Sequence, residues 1–185
     1  MVAIETPVRD AGFKAPDFDL PGVDGERYRL ADLRGEKGTL VMFICNHCPY
    51  VKAVLDLIVR DVRELAGHGI ASVAIMPNDI VAYPDDSFEN MQRLARVKSF
   101  PFLYLFDQSQ DVARAYGAVC TPDFFGFDAS LGLKYRGRLD ASRTQLVPGA
   151  RRDLFEAMVR IAATGNGVGE QIPSMGCSIK WKETG

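Results

Sequence analysis

Thr39-Leu40-Val41-Met42-Phe43-Ile44-Cys45-Asn46-His47-Cys48-Pro49 decides how this chain folds. Leu40–Cys45 is an unbroken apolar run ending in a turn, the pattern of a strand covered on both faces. After it the period changes. Val51, Val54, Leu55, Ile58, Val62 and Leu65 fall on one face of a helix predicted from Cys45 to about Ala66. Two cysteines at C-x-x-C spacing therefore sit where a strand hands over to a helix. Thiols so spaced can close a disulfide, hold a metal, or attack another disulfide, and this setting points to redox chemistry.

The first N–H groups of a helix lack intrahelical partners, so a thiolate placed there gains hydrogen bonds and the favourable end of the dipole. A free cysteine, with a pKa of about 8.5, is mostly protonated at neutral pH. The dipole alone contributes roughly 0.3–1 kcal/mol, less than one pKa unit, so a larger shift needs a neighbour. His47 lies between the cysteines and has two readings: an imidazolium that tunes the thiolate, or a solvent-facing turn residue. A stabilised thiolate makes the disulfide a better oxidant. Cys45, nearest the strand end, is expected to be the more exposed and to attack. Cys48 is expected to be shielded and to resolve. Pro49 suits the first helical turn.

The 185 residues, 47% hydrophobic and 25% charged, suit one soluble domain spanning 1–185, with 165–185 as a C-terminal tail. A net charge of −2 gives no electrostatic case for nucleic acid or an anionic membrane. The N-terminus lacks a signal-peptide pattern and the longest apolar run is too short to span a bilayer, which implies a cytoplasmic protein. In a reducing compartment Cys45, Cys48, Cys120 and Cys177 are redox-active, metal-bound or simply buried rather than a disulfide framework. A zinc site would need ligands from Cys120, Cys177 and His68, and these form no second C-x-x-C or H-x₃₋₅-H.

Asp24-Gly25 between Phe18/Leu20 and Tyr28/Leu30 predicts a small hairpin. Further strands are expected at Ile70–Met76 and Phe100–Phe106, with helices at Asp86–Val97 and Asp111–Tyr116. A hairpin of Phe124–Phe127 with Leu133–Tyr135 precedes a last helix at Arg151–Ala163. Asp85-Asp86 reads as a helix N-cap. The sum is an α/β fold: a central mixed sheet with helices on both faces and an N-terminal hairpin extension. A Gly-rich linker, 164–169, leads to a tail carrying Cys177, Ile179 and Trp181. That tail either docks on the core or supplies a third redox thiol.

Ala15-Pro16-Asp17-Phe18, Leu20-Pro21, Asp24-Gly25 and Leu33-Arg34-Gly35, followed by the strand and Cys45-Asn46-His47-Cys48-Pro49-Tyr50-Val51-Lys52, resemble the redoxin group. That group holds alkyl hydroperoxide reductase/thiol-specific antioxidant proteins and thioredoxin-like oxidoreductases. The likeness is greatest to peroxiredoxin-like members with a C-x-x-C and a short C-terminal cysteine motif, here Gly176-Cys177-Ser178-Ile179-Lys180-Trp181-Lys182. It runs roughly from Ala15 to Lys182 and implies a thioredoxin-like fold. It also implies a cis-proline at Thr121-Pro122 lining a groove in which Thr121 meets an extended substrate by strand addition.

The peroxiredoxin pattern P-x-x-x-T-x-x-C is absent. Aligned on Cys48, its Pro and Thr positions hold Val41 and Cys45; aligned on Cys45, they hold Gly38 and Met42. Arg136 and Arg138 are candidates for the partner arginine. The expected activity is thiol–disulfide exchange through Cys45 and Cys48, with no cofactor and no metal. Its partners would be a protein or small-molecule disulfide or peroxide and a thiol reductant; the sequence does not fix the oligomeric state. The alternatives are a thiol peroxidase with Cys48 attacking peroxide, and a metal-binding protein or metallochaperone using the C-x-x-C with its internal histidine.

Overall fold

The computed structural model describes residues 2–7 and 12–183. Met1, residues 8–11 and the last two residues of the tail lie outside the described residues. In chain order the elements are β1 (Ala3–Glu5), β2 (Asp19–Pro21), β3 (Arg27–Arg29), β4 (Gly38–Phe43), α1 (Pro49–Ala66), β5 (Ile70–Met76) and α2 (Phe88–Val97). They continue with β6 (Leu103–Phe106), α3 (Asp111–Tyr116), β7 (Cys120–Thr121), β8 (Asp123–Asp128), β9 (Leu133–Arg136), α4 (Asp153–Thr164) and β10 (Met175–Ser178).

The central sheet has the order β6-β5-β4-β8-β9. β4, β5 and β6 run parallel, while β8 and β9 are antiparallel additions, so the sheet is mixed. Successive side chains of a strand point to opposite faces, and β4 is buried on both. Leu40 and Met42 pack with the apolar stripes of α1 and α4 and with Met91 of α2. Val41 and Phe43 pack with Phe18 and Leu20 of the N-terminal hairpin and with Ala113 and Tyr116 of α3. This is why the run reads as continuously apolar. β2 and β3 pair with Leu20 opposite Tyr28, as Asp24-Gly25 predicts.

Among the boundaries that move, three have a local cause. α1 begins at Pro49, not Cys45, because Cys48 is its N-cap in an extended conformation and the N–H groups of Asn46 and His47 bond to Asp86. α2 begins at Phe88 with Ser87, not Asp86, as its cap: Ser87 Oγ accepts the Asn90 N–H at 3.3 Å. β6 begins after Pro101, which has no N–H to offer a ladder. A second sheet, β1-β10-β7, draws the C-terminal tail between an N-terminal strand and the strand before Pro122.

Candidate active site

In the β4–β8 register Phe43 lies opposite Asp123. Two residues beyond Phe43 is Cys45, two residues before Asp123 is Thr121, and the two meet: Cys45 Sγ is 3.2 Å from Thr121 Oγ1. The Thr121–Pro122 peptide is cis. The Thr121 carbonyl oxygen lies 3.2 Å from Cys48 Sγ. On its other side Thr121 is paired with Cys177 of β10, and Cys177 Sγ sits 2.7 Å from Cys48 Sγ. Three of the four thiols thus converge on one threonine. The fourth, Cys120, donates to its own turn, at 3.6 Å from the Pro122 carbonyl.

All four cysteines are buried. Cys45 is 1% exposed and Cys48 0%, so Cys45 is not the open thiol that its place at the strand end suggests. The tail strand lies against Cys48 through Cys177, and Cys45 is covered on the side of Thr121. The tail docks Ile179, which is buried, while Trp181 stays near the surface under the Arg114 guanidinium.

The electrostatic asymmetry is also reversed. Cys48 is pushed down to about 5, chiefly by the hydrogen bond from Cys45. Burial opposes this, but the Cys177 thiol and the backbone N–H groups of Val51 and Cys177 add to it. Cys45 is pushed well up, because its proton is held on Cys48, because it is buried, and because the Asp86 charge is near; the Thr121 hydroxyl opposes weakly. Cys177 is pushed up to about 12 by burial and by its hydrogen bond to Cys48, with Lys180 opposing. The Thr121 carbonyl and the Cys177 sulfur stand where a protonated Cys48 would donate, while the Cys45 thiol and the two backbone N–H groups favour its charged form; of the two C-x-x-C thiols, Cys48 is the one shifted down.

Asp86 is fully buried and holds the C-x-x-C turn in place. Its Oδ1 accepts from the backbone N–H of Asn46 at 2.8 Å and of His47 at 3.2 Å. Its Oδ2 meets His47 Nδ1 at 2.6 Å and accepts from Asn78 Nδ2 at 2.8 Å. His47 is therefore neither solvent-facing nor aimed only at the sulfurs: its ring pairs with Asp86 and stacks on Tyr83. Asn78 carries the network onward, since its Oδ1 accepts from the Lys180 N–H of the tail. Gln110 adds a second anchor. Its side chain donates to the Pro77 and Lys180 carbonyls and accepts from the Lys182 N–H. The Gln110 backbone sits in the left-handed region at φ 69°, a conformation held by this surrounding network. The sequence marks Asp86 only as a helix cap and gives no sign that Asn78 and Gln110 belong to the site.

Among the described residues, the donor set with metal-ligand chemistry is Cys45, His47 and Asp86, whose ligand atoms lie within 4.8 Å of one another. Both Asp86 oxygens already accept two hydrogen bonds, so an ion there would have to displace the contacts that shape the turn. His68 instead packs edge-on against Phe155. The two candidate arginines are engaged elsewhere. Arg136 is buried against Asp123 at 2.8 Å and donates to the Gly117 carbonyl, and Arg138 pairs with Asp153 at 2.7 Å.

A sheet that delivers two thiols to a helix mouth, opposite a cis-proline, defines a thioredoxin-like redoxin. The particular family follows from the sequence match: residues 11–138 match the AhpC/TSA family, and the chain belongs to it. A protein of Coxiella burnetii (strain RSA 493 / Nine Mile phase I) that carries the provisional name peroxiredoxin bcp is 30% identical over 130 residues, covering 69% of this chain and 76% of its own. The crystal structure of an uncharacterised conserved protein from Geobacillus kaustophilus is 44% identical with a TM-score of 0.94, over 100% of this chain and 99% of that one. A hypothetical protein from Sinorhizobium meliloti 1021 is 37% identical with a TM-score of 0.90, over 97% and 99%. The thioredoxin domain of a thiol-disulfide oxidoreductase from Bacteroides vulgatus, at 16% identity and a TM-score of 0.59 over 74% of this chain and 91% of that one, shares the fold. No described helix is long and apolar enough to cross a membrane.

Proposed function

We propose that this protein is a thiol–disulfide oxidoreductase in which Cys48 attacks and Cys45 resolves. The observation that carries the reading is the placement of Cys45 and Cys48 at the mouth of α1, each sulfur 3.2 Å from Thr121 of the cis Thr121–Pro122 turn, where the Cys48 thiol is lowered to about 5 and the Cys45 thiol is pushed up. At neutral pH one sulfur is ready to attack and its neighbour keeps a proton to give. The Cys48 thiolate displaces one sulfur of a substrate disulfide, forming a mixed disulfide and releasing the first thiolate. Cys45 then loses its proton, attacks Cys48 Sγ and expels the second substrate sulfur, which leaves as a thiol. The product is a Cys45–Cys48 disulfide, which an external dithiol restores by the same exchange. Sulfur alone carries the two electrons, so the chemistry needs no cofactor. Thr121 and Pro122 line the groove, where an extended substrate would pair with the β7 edge. His47 acts through Asp86 by fixing the turn. Residues 165–183 belong to the same working unit, since their strand completes the thiol cluster.

The substrate class is a protein or small-molecule disulfide, and the partner a thiol reductant. The test is catalysed reduction of bis(2-hydroxyethyl) disulfide by dithiothreitol. Turnover that is lost in Cys48→Ser supports the reading; turnover that survives in Cys48→Ser overturns it.

A peroxidase reading has one observation in its favour: a low-pKa thiol at the start of α1 in an AhpC/TSA family member. Against it, Cys45 stands where that chemistry places a threonine, and Arg136 is occupied by Asp123. Polarising a peroxide bond needs such donors preorganised. In stopped flow, hydrogen peroxide should oxidise Cys48 no faster than a free thiolate; rapid oxidation that survives Cys45→Ser would favour the peroxidase.

A further inference from the structure

Cys48 is fully buried, and what covers it is the protein's own C-terminal strand. β10 pairs antiparallel with β7 at Thr121, the edge that a substrate strand would use. Its approach is close. A Cβ on Gly176 would stand 2.1 Å from the Thr121 oxygen and 2.5 Å from the Thr121 carbonyl carbon, so only glycine fits at that position. The next residue places its sulfur 2.7 Å from Cys48 Sγ, where the sulfur of a bound disulfide would lie. Both ends of this arrangement are specified. The Gly165-Asn166-Gly167-Val168-Gly169 linker precedes the strand, and Asn78 and Gln110 grip the backbone that follows it.

We infer that Cys177 is a second resolving thiol for Cys48, delivered by a tethered strand that occupies the substrate groove and that an incoming substrate displaces. The inference rests on the thiol–disulfide reading above. Once Cys48 has taken up a substrate sulfur, the return of β10 to β7 brings Cys177 against the mixed disulfide. Cys177 loses its proton and its sulfur attacks Cys48 Sγ. The Cys48–substrate S–S bond breaks, and the substrate leaves as a thiol carrying that proton. A Cys48–Cys177 disulfide remains, at the oxidation level of the mixed disulfide it replaces. Cys45 or the external dithiol then reopens it by exchange. Cys120, whose sulfur faces the Pro122 carbonyl, takes no part.

The test uses the full-length reduced protein and oxidised glutathione as the disulfide. Wild type, Cys45→Ser and the Cys45→Ser/Cys177→Ser double variant are each mixed with oxidised glutathione, quenched with an alkylating agent and read by mass spectrometry. Serine is near-isosteric with cysteine, so the variants keep the packing. In Cys45→Ser the glutathione adduct on Cys48 should vanish at least about tenfold faster than in the double variant, as expected of an intramolecular thiol at high effective concentration. It should leave a linked pair of peptides carrying Cys48 and Cys177. Adding Gly176→Val to Cys45→Ser, which forces the strand off β7 without removing the thiol, should return the adduct to the slow rate. An adduct equally long-lived in Cys45→Ser and the double variant, or one resolved through Cys120, overturns the role of Cys177. In that case clearance by wild type leaves the Cys45–Cys48 exchange standing. If Cys48 takes up no glutathione in any of the proteins, the underlying exchange reading fails with it.

Discussion

Cys48 at the mouth of α1 and Cys120 in β7 are both fully buried and flank the same Thr121–Pro122 turn, yet their acidities move in opposite directions. Cys120 is pushed up by burial and by the Asp123 charge, with Arg136 opposing. Cys48 is pushed down although burial opposes it, because thiol and backbone donors point at it. Burial sets the cost of charging a thiol, and donors decide whether that cost is met. The two sulfurs differ in what surrounds them, not in their depth.

The largest separation should appear in turnover. Cys48→Ser is expected to lower reduction of bis(2-hydroxyethyl) disulfide by at least about a thousandfold, since the attacking sulfur is gone. Cys120→Ser, at a sulfur that meets only its own turn, should stay within about twofold of wild type. Comparable losses in both would erase the distinction.

Next comes the support beneath each thiol. Asp86→Ala removes a buried acceptor of four hydrogen bonds and strands the N–H groups of Asn46 and His47. The expected cost is about 3 kcal/mol, or roughly 6–12 °C in Tm for a chain of this size. Asp86→Asn keeps the shape and should recover part of it. Thermal denaturation checks both, and an unchanged Tm in Asp86→Ala would remove Asp86 as the anchor of the turn.

The third effect is a pH dependence of stability. Cys48 has a folded pKa near 5 against about 8.5 unfolded. Between those values the unfolded chain binds more protons, so stability rises with pH, by at most about 1.4 kcal/mol per unit. The gain is complete above the unfolded value and lost as pH falls through the folded one. Cys45 and Cys177, both raised, act with the opposite sign above about pH 8.5. The reduced wild type should therefore gain on Cys48→Ser by about 2.5 kcal/mol from pH 6 to pH 8, measured by urea unfolding. A gap that stays constant over that range would contradict a thiolate at Cys48.

The same contrast marks what could be read in the sequence. β4, β5 and α3 are legible because their own residues specify them: a doubly covered apolar strand, a strand ended by Pro77, and a short helix closed by Gly117. The cis-proline came from family resemblance, not from local pattern. β1, β7 and β10 are only two to four residues long, and Met175-Gly176-Cys177-Ser178 has no alternation to betray a strand. The relative acidity of Cys45 and Cys48 was not legible because the helix starts at Pro49 rather than Cys45, and because the donors to Cys48 include a residue far along the chain. Asp86 resembled a cap because its partners at Asn46 and His47 are distant in sequence. Local period fixes elements; the acidity of a sulfur depends on contacts that only the folded chain brings together.

The smallest expected effect bears on the donors directly. Cys48 should react with iodoacetamide along a pH profile with its midpoint near 5, while Cys120, raised by burial, stays unreactive in the native protein. Cys45→Ala removes the largest of the downward influences on Cys48. A hydrogen bond to a charged group contributes about 1.5–3 kcal/mol, and a thiol is a weak donor, so the lower end applies. That corresponds to a midpoint higher by about one unit. Cys120→Ala, which takes no donor from Cys48, should leave the midpoint within about 0.3 unit. Because Cys177 and two backbone N–H groups remain in Cys45→Ala, the midpoint should still lie below that of a free thiol. A return to the free-thiol value would mean that Cys45 alone holds the charge, and the strand bearing Cys177 would lose its electrostatic role.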